Sequence, residues 1–530
     1  MSDADEATEA DYLRTIAAAR IVLPPEVSVQ APPNLNDERF GELIDAGIDD
    51  WGGISPVTMD HVNPEAPWPE IERLAGVCAS KGLPLVERLT LHPRYIELDD
   101  RGWVDPKLRT AVLKVADAEG LGRDGRWSPG LAMPVPGDVR SPLGAALLPS
   151  GRSRSASAAA LHRILDRAAN GTTLHESEIA ALFATRGAAA QAVIEAADAL
   201  RAEVCGDTVT YVVNRNINYT NICTHACSFC AFSKTSSKGG YRDKPYNLDL
   251  AEIASRAREA VERGATEVCL QGGIHPSYTG ETYLSILRAV KEECPDLHVH
   301  AFSPLEVWQG ASTLGMPVVD YLSMLRDAGL GSLPGTAAEI LCDEIRAQIC
   351  PDKLTTEQWL EIVGTAHRVG LSTTSTIMFG HLESPVHWAR HLLALRKLQC
   401  ETGGITEFVP LPLVHMEAPF YRRGQSRKGP TWREAVMMHA VARLALHGTI
   451  SSIQVSWVKL GMDGAAAVLA AGANDLGGVL MDESISRAAG AAHGQLATAD
   501  DLRTAAESVG RKLRQRTTLY KDVDFPEVVF

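Results

Sequence analysis

No apolar run in this chain reaches membrane-spanning length; Ala465–Ala473 is a short Ala/Val/Leu/Gly stretch that reads as a buried helix. Basic residues are in deficit, 51 Lys and Arg against 66 Asp and Glu, for a net charge of −15. That balance argues against phosphate-backbone binding as the main task, so neither a nucleic-acid nor a membrane partner is expected. The start, Met1–Glu6, is polar and acidic and does not read as a signal peptide. The 10 cysteines form no disulfide framework, which suits a reducing cytoplasm. What the chain does have is length and apolar content. Its 530 residues, 45% hydrophobic, suffice for two or more domains with a sizeable core.

Three cysteines are clustered in Cys223-Thr224-His225-Ala226-Cys227-Ser228-Phe229-Cys230, a C-x3-C-x2-C spacing. Three thiolates that close can ligate three irons of a cubane and leave the fourth iron open. An open iron can take a small molecule through its amine and carboxylate. A structural zinc site wants four ligands, usually as two separated pairs. His225 could be the fourth only by reaching back into its own tight loop. A disulfide would leave one of the three thiols unpaired. The stretch resembles the cluster motif of the radical S-adenosylmethionine (radical SAM) superfamily, where an aromatic before the last cysteine, here Phe229, is usual.

From Thr208 onward strands and helices alternate. Strand-like runs are 208–213, 267–270, 297–302, 372–378, 405–409 and 451–455, with shorter ones near 332–336 and 475–480. Asp249 with Glu252 reads as a capping pair, and Thr355 or Thr356 opens a helix that Gly370 closes. The rhythm is α/β, a parallel sheet with helices outside, and some eight repeats suit a TIM-type (βα) barrel over 206–530. Active residues then belong at the C-terminal ends of strands, and Cys223 follows the first strand. Residues 156–205 are Ala-rich and helical, a lead-in to the barrel. Residues 121–155, rich in Gly, Pro, Ser and Arg, read as a linker.

Residues 1–120 repeat the back of the barrel. Ala46–Ile54 matches Ala471–Val479; Ala19–Leu23 resembles Ala442–Leu446; Val27–Gln30 resembles Ser451–Gln454; Arg88–Leu91 resembles Arg516–Leu519. Four matches in register imply the C-terminal remnant of a second barrel of the same type. No cysteine cluster precedes Ala19, and the lone Cys78 reads as a core residue.

Other candidate site residues cluster at strand ends. Gly272 and Gly273, in Gln271-Gly272-Gly273-Ile274-His275-Pro276, allow close backbone approach to a ligand, or make a plain turn. Ser303 and Glu306 could hold the ribose or amino acid part of a cosubstrate, and a helix N-cap reads Ser303 equally well. Glu339, a further candidate for catalysis, could face the pocket or pair with an arginine outside. His275 and His381 are candidates for catalysis, with His381 as a proton relay or as a satisfied structural histidine. Arg422, Arg423, Arg427 and Lys428 read as a solvated loop first and an anion contact second.

These motifs, with Asn216–Cys223, His300–Glu306, Gly335–Leu341 and Gly380–Glu383, together resemble the FO synthase family, which makes the deazaflavin precursor of coenzyme F420. The resemblance implies a 4Fe-4S cluster on Cys223, Cys227 and Cys230, and S-adenosyl-L-methionine held by Phe229, Gly272, Gly273, Ser303 and Glu306. One electron from an external reductant would cleave the bound S-adenosylmethionine to a 5′-deoxyadenosyl radical. That radical would break the Cα–Cβ bond of L-tyrosine. The hydroxybenzyl fragment would then pass to 5-amino-6-(D-ribitylamino)uracil. Residues 156–530 resemble the module that performs this transfer, and residues 1–120 the tail of the module that closes the ring. Ring closure by this chain alone is not expected, and an intact ring-closing module on another chain is a candidate partner. A tyrosine lyase, a menaquinone-pathway radical enzyme, a non-catalytic scaffold and a zinc-stabilised hydrolase are the alternatives.

Overall fold

In the computed structural model, which describes residues 8–36, 39–55, 57–96, 102–143, 156–234 and 244–523, the strand-like runs become ten short strands. They are β1 (Thr208–Val212), β2 (Asn214–Asn218), β3 (Glu267–Gln271), β4 (His298–Ala301), β5 (Ser332–Leu333), β6 (Ser372–Phe379), β7 (Ile405–Pro412), β8 (Ser452–Ile453), β9 (Asp475–Gly478) and β10 (Lys512–Gln515). Seven form one parallel sheet in the order β2-β3-β4-β5-β6-β7-β8. Parallel neighbours need long crossovers, and helices on the outside supply them.

The ring closes through the chain of β9. At one edge the Val455 N–H donates to the Asp475 carbonyl at 2.8 Å and Asn474 to Ile453 at 3.1 Å. At the other, Met481 donates to Asn214 at 3.1 Å and Asn216 to Met481 at 2.9 Å. Segment 475–481 is therefore the eighth stave of the expected barrel. The first stave differs from expectation. It is β2, not 208–213, because the chain breaks at Val213 and β1 joins a separate sheet in the order β10-β1-β9. The polar run Asn214-Arg215-Asn216-Ile217-Asn218 hides this strand, since it lacks the apolar or β-branched signature.

Capping follows the sequence. The Asp249 carboxylate accepts from the Glu252 N–H at 2.8 Å, and Thr355 forms a capping box with Gln358. The lead-in helices Ala156–Ala169, Glu176–Phe183 and Gly187–Cys205 pack against the fully buried helix Trp432–Ala445. Among the described residues no single helix is long and apolar enough to cross a membrane.

The stretch expected to be a linker is, up to residue 143, part of the barrel's coat. Trp127 is buried and meets Trp432 edge-on at 5.0 Å. Gly130 donates to the Lys459 carbonyl at 2.7 Å, and the Trp432 indole donates to the Pro142 carbonyl at 2.6 Å. Irregular backbone docking has no period, so it reads as a linker in sequence. Residues 144–155 lie outside the described residues.

Residues 8–96 hold a second, small core of Ile16, Phe40, Leu43, Trp51, Leu74 and Cys78. Cys78 is a core residue as expected, and the Trp51 indole donates to its sulfur at 3.4 Å. The repeat is reproduced contact by contact. Gln30 bridges Asp50 in parallel as Gln454 bridges Asp475. Gly52 donates to Asp50 Oδ1 and Gly477 to Asp475 Oδ1, both at 2.6 Å. Arg88 Nε donates to Asp50 Oδ2 and Arg516 Nε to Asp475 Oδ2, both at 2.6 Å. Gly52 and Gly477 have φ of +74° and +68°, and a Cβ at either would lie 2.1 Å from the side-chain amide of the paired glutamine.

Burial holds five imidazoles neutral: His300, His367, His415 and His439 are pushed down to about 4 and His391 to about 3. The unfolded chain takes up protons at these groups near pH 6.5, and the folded chain does not until near pH 4. Folding stability should therefore fall as pH drops from 6.5 towards 4. Unfolding temperatures recorded across that window check this; a flat profile would contradict it.

Candidate active site at the C-terminal ends of the strands

Alternate strand positions Asn216, Cys269, Gln271, Met378 and Leu411 keep partial exposure inside the ring of helices, while neighbours such as Ile217 and Leu270 are fully buried. The barrel therefore has a hollow lumen. The cysteine loop leaves β2 at the lumen's C-terminal mouth. It is tied down on several sides. Cys223 donates to the Lys234 carbonyl at 3.1 Å, Ser228 to Ile349 at 2.8 Å, and Phe420 donates to the Ser228 carbonyl at 2.8 Å. The Ala226 N–H donates to the Asp352 carboxylate at 2.9 Å.

Cys223, Cys227 and Cys230 are free thiols, each half-buried. Backbone amides point at two of the sulfurs, Ile274 N–H at Cys223 (3.3 Å) and Ser233 N–H at Cys230 (3.4 Å). Burial pushes the Cys223 and Cys227 thiols up, with Lys353 opposing the rise at Cys227. Bound metal reverses such a rise, since a coordinating thiol is deprotonated outright. Among the described residues no three His, Cys, Asp or Glu side chains gather around one point as a single ion requires. A cubane places each thiolate on a different iron, so this donor set fits a cluster rather than a lone zinc. His225 Nδ1 lies 3.3 Å from Asp352, the residue that also anchors this loop through the Ala226 N–H.

Gly272 and Gly273 are brought directly against this loop. A Cβ on Gly273 would stand 2.3 Å from the Ile222 carbonyl oxygen and 3.0 Å from Cys223 Cβ. A Cβ on Gly272 would stand 2.3 Å from the Tyr219 ring. The glycine pair therefore lets the end of β3 touch the cysteine loop.

Glu306 lies beneath this contact, fully buried. Its carboxylate accepts from Gly272 N–H at 3.1 Å, Ser303 N–H at 2.7 Å, Ser303 Oγ at 2.6 Å and the Tyr219 hydroxyl. Burial raises its pKa against these donors. Ser303 is the N-cap of the helix Pro304–Leu314, in a capping box with Glu306. Ser303 is thus an N-cap, and both residues support the glycine turn from behind.

Glu339 sits with φ +47° after β5 and pairs with Lys353 Nζ at 2.7 Å. The same ammonium lies 5.4 Å from the Phe229 ring centroid, which brings Glu339, Lys353 and Phe229 beside Cys227. His275 is partly exposed, and its Nδ1 accepts from Ser277 N–H at 3.2 Å. His381 has no exposure. Its Nδ1 lies 2.8 Å from Glu383 and its Nε2 3.0 Å from the Met378 carbonyl. That placement is the structural histidine of the two readings. Arg427, expected at a solvated surface, is buried between Glu383 (3.5 Å) and Glu434 (3.2 Å); the basic run conceals two buried carboxylates that claim it. Sequence reasoning did not single out Tyr219, Lys353 or Asp352. Tyr219 stood inside a quoted motif, while a lone lysine in a polar loop carries no signal.

Fold and site together define a radical SAM barrel. A model described as the radical SAM superfamily matches residues 217–395, and one described as the CofH/MqnC C-terminal region matches 402–529. The chain is 47% identical, over 96% of its length, to an FO synthase of Mycobacterium tuberculosis (strain ATCC 25618 / H37Rv), and spans 63% of that relative. It is 46% identical to the 5-amino-6-(D-ribitylamino)uracil–L-tyrosine 4-hydroxyphenyl transferase of Methanothermobacter thermautotrophicus, over 65% of this chain and 92% of that one. Among solved structures, methylornithine synthase aligns with TM-score 0.50 at 18% identity, covering 66% of this chain and 97% of that one. The FeFe-hydrogenase maturase HydG from Carboxydothermus hydrogenoformans aligns with TM-score 0.51 at 16% identity, covering 68% and 80%. The chain belongs to the radical SAM superfamily and, within it, to the family of the 4-hydroxyphenyl transferases. Radical SAM enzymes use a 4Fe-4S cluster and S-adenosyl-L-methionine.

Glu306→Ala would strip four donors (the Gly272 and Ser303 amides and the Ser303 and Tyr219 hydroxyls) of their acceptor, at about 1–3 kcal/mol for each left unsatisfied. Urea unfolding should show a loss of at least about 3 kcal/mol. A loss below about 1 kcal/mol would mean that the carboxylate is not the hub of this turn.

Proposed function

We propose that this chain transfers the 4-hydroxybenzyl group of L-tyrosine to 5-amino-6-(D-ribitylamino)uracil, using a 4Fe-4S cluster on Cys223, Cys227 and Cys230. The observation that carries the reading is the likeness to the methanogen transferase over 92% of that protein. The three free thiols at the mouth of a hollow barrel support it. With S-adenosyl-L-methionine bound, the cluster would supply one-electron cleavage to a carbon radical.

The chain's own residues do the rest. Gly272 and Gly273 let the end of β3 close on the cysteine loop beside Cys223, and their backbone would meet the amine end of the cosubstrate there. Glu306, Tyr219 and Ser303 act as positioning residues, since their hydrogen bonds fix the Gly272 amide. Phe229 and the Glu339–Lys353 pair line the Cys227 side and are assigned to cofactor binding. Helices and the segment 121–143 wrap the lumen and keep water from a reactive carbon centre. Asn216, Gln271 and Thr336 offer amide and hydroxyl groups to polar ligands in the lumen, where Thr336 Oγ1 already lies 3.4 Å from Gln271 Oε1. His275 stands near enough to the surface of the mouth to meet substrate, whereas His381 supports the β6 end from within. The unpaired cysteines suit a reducing cytoplasm, and an outside one-electron donor is required.

An anaerobic assay tests this. The protein is reconstituted with iron and sulfide and given reductant, S-adenosylmethionine, tyrosine and the ribitylaminouracil. Mass spectrometry should find 5′-deoxyadenosine and the hydroxybenzyl–uracil adduct, without FO. Deoxyadenosine without adduct would overturn the substrate assignment. Cys227→Ala should abolish deoxyadenosine formation with the circular dichroism spectrum unchanged; retained formation would overturn the cluster assignment.

A further inference from the structure

Two histidines of β4 and one serine of β5 form a hydrogen-bonded row that takes no part in the cysteine site. His300 Nδ1 lies 2.7 Å from Ser332 Oγ, and the same oxygen lies 2.7 Å from His298 Nε2. The row runs from the lumen to the floor of the barrel. His300 pairs in register with Cys269, so it shares the lumen face on which Cys269 keeps partial exposure. Its Nδ1 is taken, and among the described residues its Nε2 has no hydrogen-bond partner. His298 starts the strand, at the end of the barrel opposite the cysteine loop, and is half-buried. Beside it the Lys291 ammonium donates to the Leu297 carbonyl at 2.9 Å.

A glycine makes room for the row: a Cβ on Gly331 would stand 2.5 Å from His298 Cε1. Glu267, a buried carboxylate that accepts from Thr518 Oγ1 at 2.6 Å and from Asn214 Nδ2 at 3.1 Å, favours the protonated form of both rings. Arg516 opposes it at His300 and Lys291 opposes it at His298. Burial keeps His300 neutral, so one ring nitrogen carries a proton and the other is bare. A hydroxyl held between two neutral rings donates to one and accepts from the other. The row therefore has a direction, and the passage of a single proton reverses it.

We propose that His300, Ser332 and His298 form a proton relay from the lumen to the floor of the barrel, an inference that rests on the transferase reading. That transfer releases a proton. A hydrogen atom leaves tyrosine for the 5′ carbon of the deoxyadenosyl radical, the Cα–Cβ bond breaks, and the hydroxybenzyl radical adds to the C5=C6 double bond of the uracil. The new Cβ–C5 bond leaves one unpaired electron. The product closes its shell by losing one electron, to the oxidised 4Fe-4S cluster, and one proton, from the amine N–H on C6 as a C=N bond forms. A charge stranded in a dry lumen is costly. His300 Nε2 takes the proton, the Nδ1 proton passes to Ser332 Oγ, and the Ser332 proton passes to His298 Nε2. His298 Nδ1 then releases a proton to water at the floor. One proton enters, one leaves, and all three side chains end neutral.

Ser332→Ala removes the link and keeps both rings. In the reconstituted enzyme it should lower adduct formation by on the order of a hundredfold while 5′-deoxyadenosine continues to form, and Ser332→Thr, which keeps the hydroxyl, should restore the adduct. Adduct that survives Ser332→Ala, or that falls only in step with 5′-deoxyadenosine, would overturn the relay. A second measurement is independent of turnover. In the full-length protein labelled with 15N-histidine, His298→Gln should shift the His300 ring nitrogens through Ser332, and the same substitution in a Ser332→Ala background should not. Indifference of His300 to His298→Gln would overturn the relay whatever the substrate. Linked rings in an enzyme that makes no adduct would uphold the row and overturn the transferase reading alone.

Discussion

A single buried carboxylate sets the geometry of the mouth of the barrel. Glu306 has no water to solvate it, so its lone pairs must be met by protein, and the donors that meet them come from three different places. Tyr219 ends the first stave, Gly272 ends β3, and Ser303 opens the helix after β4. One charge thereby fixes three strand ends relative to each other. The cysteine loop leaves the chain just after Tyr219, and the glycine pair meets it without room for a methyl group. The position of the candidate cluster is thus inherited from a hydrogen-bond hub that touches no thiol.

The same rim carries backbone strain. Phe302, Ala337, Glu339, Leu480 and Asp482 all have positive φ, between +47° and +65°, and all follow β4, β5 or β9. Such conformations cost of order 1–3 kcal/mol each for a side-chain-bearing residue. They lie where the chain must turn over the lumen mouth, and one of them aims Glu339 at Lys353. The rest of the barrel, with its fully buried helix Trp432–Ala445 and dense staves, supplies the rigidity that keeps them there.

What could be read in the sequence followed from local rules. The C-x3-C-x2-C spacing, the Gly-Gly turn, the caps at Asp249 and Thr355 and the four repeated segments each depend on residues close together in the chain. What escaped depended on distant partners. The first stave was hidden because a lumen-facing strand can be asparagine-rich. Arg427 reads as a surface residue because the carboxylates that bury it, Glu383 and Glu434, come from other elements. The segment 121–143 reads as a linker because backbone-to-backbone docking leaves no trace in side-chain chemistry. Ser303 reads equally well as an N-cap and as a ligand contact, since a capping box and a ligand site ask for the same residue types.

Segment 475–481 closes the ring with a pair of backbone hydrogen bonds to each neighbouring stave. A cylinder so built has a seam. Few backbone hydrogen bonds cross it, so it is one of the places where the wall opens at low cost. The seam also abuts β1 and the side sheet, which back it like a splint. The lumen is thus walled on one side by a single stave that the sheet holds from both edges and the side sheet holds from behind.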